Sequence, residues 1–215
     1  MATPAQLAQT ISSATGVPLP TVIDIDRKLV KAGLRTKGGR GFSAAQMTSL
    51  DAARLLVAVL GSPQANTSAE AVERYATTVP DKALSSEKLF ATAMLDDLAT
   101  LPTRHSFVEA LAALITSVAT GSLATMIAKG ATPSIEVFAF TRATRGRIRV
   151  AGLPNGLTAS IEYVRATAGK AKRPHSRGNQ TNQASGDLEQ SRRISERTIL
   201  PIAYLLAKDS QHDRD

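Results

Sequence analysis

Apolar residues recur at three- and four-residue intervals through most of the chain up to Ala131, then alternate with polar ones after Pro133. That change of period predicts a helical first part followed by strands. Leu7, Ala8, Ile11 and Ala14 mark a first helix, Thr3 to Thr15, started by Thr3-Pro4 and closed by Gly16. A second helix is expected from Leu19 or Pro20 to Ala32, with Val22, Ile25, Leu29 and Ala32 inward and Thr21, Asp24, Lys28 and Lys31 outward. Met47–Leu60 is strongly amphipathic, with a start signal at Thr48-Ser49 and a stop at Gly61-Ser62-Pro63. Further helices are predicted over Ser68–Thr77, with Ala71, Val72 and Tyr75 inward, and over Ser86–Leu98. The longest is expected from about Ser106 to Ile127, kinked or buried on several sides at Gly121.

After Pro133, Ile135, Val137 and Ala139 alternate with Glu136, Phe138 and Phe140. Arg147-Ile148-Arg149-Val150 alternates as well, and so does Ala159–Val164. With Pro154-Asn155-Gly156 as a hairpin signal, Ser134–Arg165 reads as a three-stranded antiparallel meander. Ser191–Ile199 predicts one more strand and Ile199–Ala207 a short helix. The expected class is therefore α+β, mainly α. The expected division is 1–45, a helical body over 46–131, a meander over 132–165, a flexible basic linker over 166–186, and a strand, helix and tail over 187–215.

Residues 16–41, GVPLPTVIDIDRKLVKAGLRTKGGRG, join the second helix to a basic glycine-rich loop. With its T-V-x-x-x-x-x-K-L-x-x-A-G-L pattern, this stretch resembles the winged helix-turn-helix superfamily of bacterial and phage regulators. The resemblance covers residues 3–41. It implies that the second helix enters the major groove of double-stranded DNA while the basic loop grips phosphate. Pro20, Thr21, Asp24, Lys28, Lys31, Arg35, Lys37 and Arg40 become the candidate DNA-binding residues. Asp24 and Asp26 cut against a strong grip, because both would face or flank phosphates.

The formal charge is +8, and it is uneven: +4 over residues 1–62, −2 over 63–132 and +6 over 133–215. Basic ends about an acidic middle suit a nucleic-acid partner. Arg142, Arg145, Arg147 and Arg149 on one hairpin, with Lys170, Lys172 and Arg173 beyond it, form a candidate second nucleic-acid surface. The rival reading is a solvated sheet face.

There is no cysteine, so thiol and disulfide chemistry are excluded. No phosphate-binding loop or nucleophile elbow is visible, and His105, His175 and His212 stand far apart without metal-ligand spacing. Asp96-Asp97 reads as an exposed helix face. These features point away from an enzyme, and no metal or cofactor is expected. Ala110–Ala128 is uncharged but carries six Ser, Thr or Gly residues, so a buried helix fits it better than a membrane span. With no secretory signal pattern, a cytoplasmic location is expected.

The first expectation for function is a sequence-specific transcriptional regulator, a repressor of bacterial or prophage type that binds DNA as a homodimer. The alternative is a small phage terminase subunit, which would bind viral DNA as a ring. The third is a partner-binding protein whose helical pair meets protein rather than DNA.

Overall fold

The computed structural model describes residues 2–37, 45–62, 64–86, 88–141, 144–153, 156–166 and 190–210. Helix α1 is Pro4–Thr15. Thr3 caps it in a reciprocal box with Gln6, and Gly16 ends it at φ 74°. Helix α2, Leu19–Lys31, buries Val22, Ile25 and Leu29. Ala32, expected inward, is exposed, because the helix has ended and the chain turns there.

Helix α3, Ser49–Gly61, starts in a capping box between Thr48 and Asp51. Its apolar positions are not confined to one stripe. Residues Leu55 to Gly61 are all buried, so it runs through the centre instead of lying on a surface. Helix α4, Ser68–Ala76, turns Ala71, Val72 and Tyr75 inward as expected.

The predicted helix Ser86–Leu98 is instead two short ones, α5 over Lys88–Thr92 and α6 over Asp96–Ala99. Met94 adopts φ 53° and the Leu95 amide reaches back to the Phe90 carbonyl, a left-handed helix closure with methionine in the place glycine usually takes. Asp97 accounts for the restart. Its amide donates to the Ser117 hydroxyl, which donates back to its carboxylate at 3.0 Å. This half-buried aspartate therefore anchors α6 and is not part of an exposed face.

Helix α7, Phe107–Ala119, begins in a Ser106–Glu109 capping box, and α8, Ser122–Ala128, follows after Gly121 at φ 95° with a bend of 58°. Of the two alternatives expected at Gly121, a kink or burial on several sides, the kink is present. Leu123 and Met126 continue the buried face, but Ile127 is 61% exposed. Among the described residues no single helix is long and apolar enough to cross a membrane. The bent α7–α8 pair passes such a test by length and composition, yet most of α7 is core.

The sheet has five antiparallel strands in the order β1-β4-β3-β2-β5: β1 Thr78–Pro80, β2 Ser134–Phe140, β3 Arg145–Ala151, β4 Ala159–Arg165 and β5 Ser191–Ser195. The three-stranded meander lies at its centre. Three residues around a proline carry no periodicity, so β1 has no signal in the sequence; pairing with β4 makes it an edge strand. Helix α9, Glu196–Ser210, starts immediately after β5 and is longer than expected.

The inner sheet face, with Ile135, Val137, Ile148, Val150, Ile161 and Tyr163, packs beneath the helices. Phe107 lies between Tyr75 and Tyr163, with ring centroids 5.4 and 5.5 Å away. The Tyr75 hydroxyl donates to the Phe140 carbonyl, and burial pushes its phenol up to about 12. Gly146 is required opposite this stack, because a Cβ there would lie 2.5 Å from the Phe107 ring. One cluster of buried apolar residues runs from Ala2 to Leu206, so the segments anticipated from sequence share a single core.

Candidate nucleic-acid interface

Burying Val22, Ile25 and Leu29 fixes which side of α2 meets solvent: Pro20, Thr21, Asp24, Arg27 and Lys31 are exposed, and Lys28 is half-buried. Lys28 Nζ lies 2.7 Å from Asp24 Oδ2, an i,i+4 pair with the acid on the N-terminal side, the favourable order. This pair removes both charges from the balance. Arg27, Lys31 and the exposed Lys37 form no ion pair among the described residues, so the outer side of α2 carries net positive charge. Arg27 is a further exposed cation on this side that neither the inward positions nor the resemblance singles out. Its place one turn before Lys31 was signal enough. Arg40 lies outside the described residues, as does the glycine-rich loop over 38–44.

Arg35 does not join this surface. Its side chain is 9% exposed, with Nε 2.7 Å from Asp26 Oδ1 as an ion pair and a hydrogen bond from its Nη2 to Asp26 Oδ2 at 3.0 Å. It also donates to the Thr36 carbonyl. Asp26, expected at the phosphates, is buried beneath the turn as the partner of Arg35. Burial pushes its carboxyl above the usual value, which the neighbouring guanidinium only partly offsets.

Asp51 completes the seam between α2 and α3. It is buried and accepts from the Thr36 amide at 2.9 Å, the Thr36 hydroxyl at 3.1 Å, the Thr48 amide at 3.1 Å and the Thr48 hydroxyl at 2.8 Å. Burial alone would raise its pKa; these four donors, led by the Thr36 and Thr48 amides, hold it below the usual carboxylate value. Arg54 adds a bond to the Leu34 carbonyl. The turn that presents Lys37 is therefore tied to α3 by buried polar groups.

The second candidate surface is the outer face of the sheet. Register places Phe138 opposite Arg147 and Arg193, Glu136 opposite Arg149, and Phe140 opposite Arg145. Glu162 pairs with Arg147, and Arg145 lies 4.0 Å from it; Glu136 receives Arg149 at 2.8 Å and Arg193 at 2.7 Å. Hydrogen bonds from Arg149 and Arg193 hold the Glu136 carboxyl below its usual range. Of the sequence candidates, this face gathers Arg145, Arg147 and Arg149. Arg142, Lys170, Lys172 and Arg173 lie outside the described residues. Arg193, read from sequence only as part of a strand, joins them across β2.

His105 is buried. Its Nδ1 is 2.7 Å from the Pro102 carbonyl and its Nε2 is 2.8 Å from the Tyr163 hydroxyl, so it serves the core. Among the described residues, no group of three or more His, Asp or Glu is arranged to hold a metal.

The chain was compared with protein-family models, curated proteins and solved structures. None of the three comparisons finds a match.

Proposed function

We propose that this chain is a sequence-specific DNA-binding regulator that uses α1 and α2 as a helix-turn-helix and reads the major groove with the outer side of α2. One observation carries the reading. Helix α2 is seated by its apolar side while Pro20 and Thr21 at its N-terminal end, and Arg27, Lys31 and Lys37 further along, remain open to solvent. Short polar groups near a helix start suit base edges, and unpaired cations further along suit phosphates. A repressor-type dimer would present two such helices to two half-sites.

Fluorescence anisotropy on duplex fragments from the gene's own upstream region tests this. Each phosphate contact adds about 0.9 to the slope of log affinity against log salt. Lys31→Ala with Lys37→Ala should flatten the slope by about two contacts and weaken all duplexes alike. Thr21→Ala should instead change the preference among them. An unchanged slope in the double variant overturns the reading. Light scattering addresses the assembly: two subunits fit a regulator, and eight or more overturn it in favour of a packaging ring.

A further inference from the structure

We infer that the cavity where the end of α1, the end of α3, β5 and the start of α9 meet binds a small organic anion with an apolar body. The cavity measures about 630 Å³, within the usual range of small-molecule sites, and is open to solvent. Val17 from the turn after α1, with Val59 and Leu60 from the end of α3, supplies an apolar wall, and Arg192 and Arg197 supply charge. Among the described residues no acid lines it. Arg193 also borders the cavity, but its charge is already met by Glu136.

The fold accounts for only part of what these two arginines offer. Arg192 Nη1 donates to the Val59 carbonyl at 2.8 Å and to the Ser62 carbonyl at 2.9 Å, at the end of α3, where carbonyls lack helical partners. Those bonds fix the guanidinium in place before any ligand arrives, so little ordering is left for binding. No carboxylate pairs with it among the described residues. Arg197 is exposed, and its side chain makes no ion pair or hydrogen bond among the described residues.

The hydroxyls in the lining narrow the chemistry further. Thr15 donates to the Ile11 carbonyl and Thr198 to the Ala14 carbonyl, so both protons are spent within the protein. The Ser195 hydroxyl accepts from the Arg197 amide and keeps its own proton to give. The side chains left to meet a ligand are thus mainly donors, which suits the oxygens of a carboxylate or phosphate. A bare inorganic anion would gain nothing from the valine and leucine wall, so the ligand this cavity favours carries an apolar part as well. The site adjoins α1 and the turn into α2. On the regulator reading a bound ligand would bear on the recognition helix, but the binding itself does not rest on that reading.

The test is a fluorescence titration of the full chain with anilinonaphthalene sulfonate, an aromatic anion of the required kind. Binding is expected. Arg197→Glu should weaken it about tenfold or more, the equivalent of one lost charge-assisted hydrogen bond, whereas Arg197→Lys should keep most of it. Ala14→Leu keeps every charge but fills the cavity, and should weaken it to a similar degree. Octanoate and octyl phosphate should displace the probe where octanol at the same concentration does not, and the better competitor of the two identifies the head group. Circular dichroism checks that the variants fold; should Ala14→Leu fail, the exposed Arg197 decides alone. Lys31→Ala with Lys37→Ala should leave the probe's affinity unchanged, so failure here is distinguishable from failure of the α2 reading. No binding by the unaltered chain overturns the inference, as does binding that Arg197→Glu or a folded Ala14→Leu variant leaves intact. So does displacement by octanol as effective as that by the two anions.

Discussion

Asp26 and Arg35 make an ion pair whose net worth can be tested directly. Both side chains are nearly out of solvent, and burial lifts the aspartate's pKa even with the guanidinium 2.7 Å away. Desolvation therefore outweighs attraction for this carboxylate. Replacing a buried pair with apolar groups of similar size is often neutral or stabilising, whereas removing one member strands a charge and costs about 3–5 kcal/mol. Arg35→Met alone should thus be the damaging change near pH 8, lowering the urea midpoint by about 1–2 M for an m-value near 2–3 kcal/mol/M. Asp26→Leu with Arg35→Met should recover most of that loss.

The pH dependence has a definite sign. An acid whose pKa is raised in the folded state binds its proton more tightly there. Its contribution to stability therefore falls as pH rises from the usual carboxylate value through the raised one. Without Arg35 the Asp26 pKa rises further, so Arg35→Met should be less damaging near pH 5 than near pH 8. Urea titrations followed by circular dichroism at both values measure this. Equal damage at the two, or a double variant weaker than the single, would refute the reasoning.

Asp51 should behave in the opposite way: its depressed pKa contributes stability above the usual carboxylate value that is lost as pH falls through the folded one, and Asp51→Asn should remove that acid-sensitive part in the same titrations. Gly146→Ala should lower stability by about 1–3 kcal/mol through its clash with Phe107, and Phe107→Leu should relieve part of the loss in a double-mutant cycle. A fragment ending near Ala131 should fail to show a cooperative thermal transition, because it lacks the inner sheet face and α9; a sharp transition would contradict the shared core.

Long helices with a defined start were legible in the sequence because local chemistry sets them. Thr3, Thr48 and Ser106 each cap their own helix, and the period-two runs of β2, β3 and β4 mark one buried sheet face. What was not legible depends on partners far along the chain. The restart at Asp97 relies on Ser117, twenty residues on, and β1 exists only because β4 receives it. Asp26 and Arg35 look like surface charges in sequence, since nothing local shows that the turn after α2 folds them against each other. At the sheet, the alternation of arginines was visible, but the two glutamates beneath them and the arrival of Arg193 required the register.

The core also bears on how α2 could read DNA. A recognition helix discriminates only if its side chains are held in a fixed frame, since slack in the helix spreads each contact over several base positions. Sequence suggested a small module joined to a separate body, which would leave that frame to a helical pair of limited buried area. Instead α1 packs against α9, with the Thr198 hydroxyl directed to the Ala14 carbonyl, and the turn after α2 is fastened to the start of α3 by Asp51 and Arg54. Residues from both ends of the chain thus set where α2 stands. If α2 reads DNA as proposed, a change at α9 would alter that recognition without touching DNA, by shifting α1 and with it the helix that α1 supports. The two basic surfaces are built on the same rigid core, so point substitutions rather than truncations are the means to tell them apart.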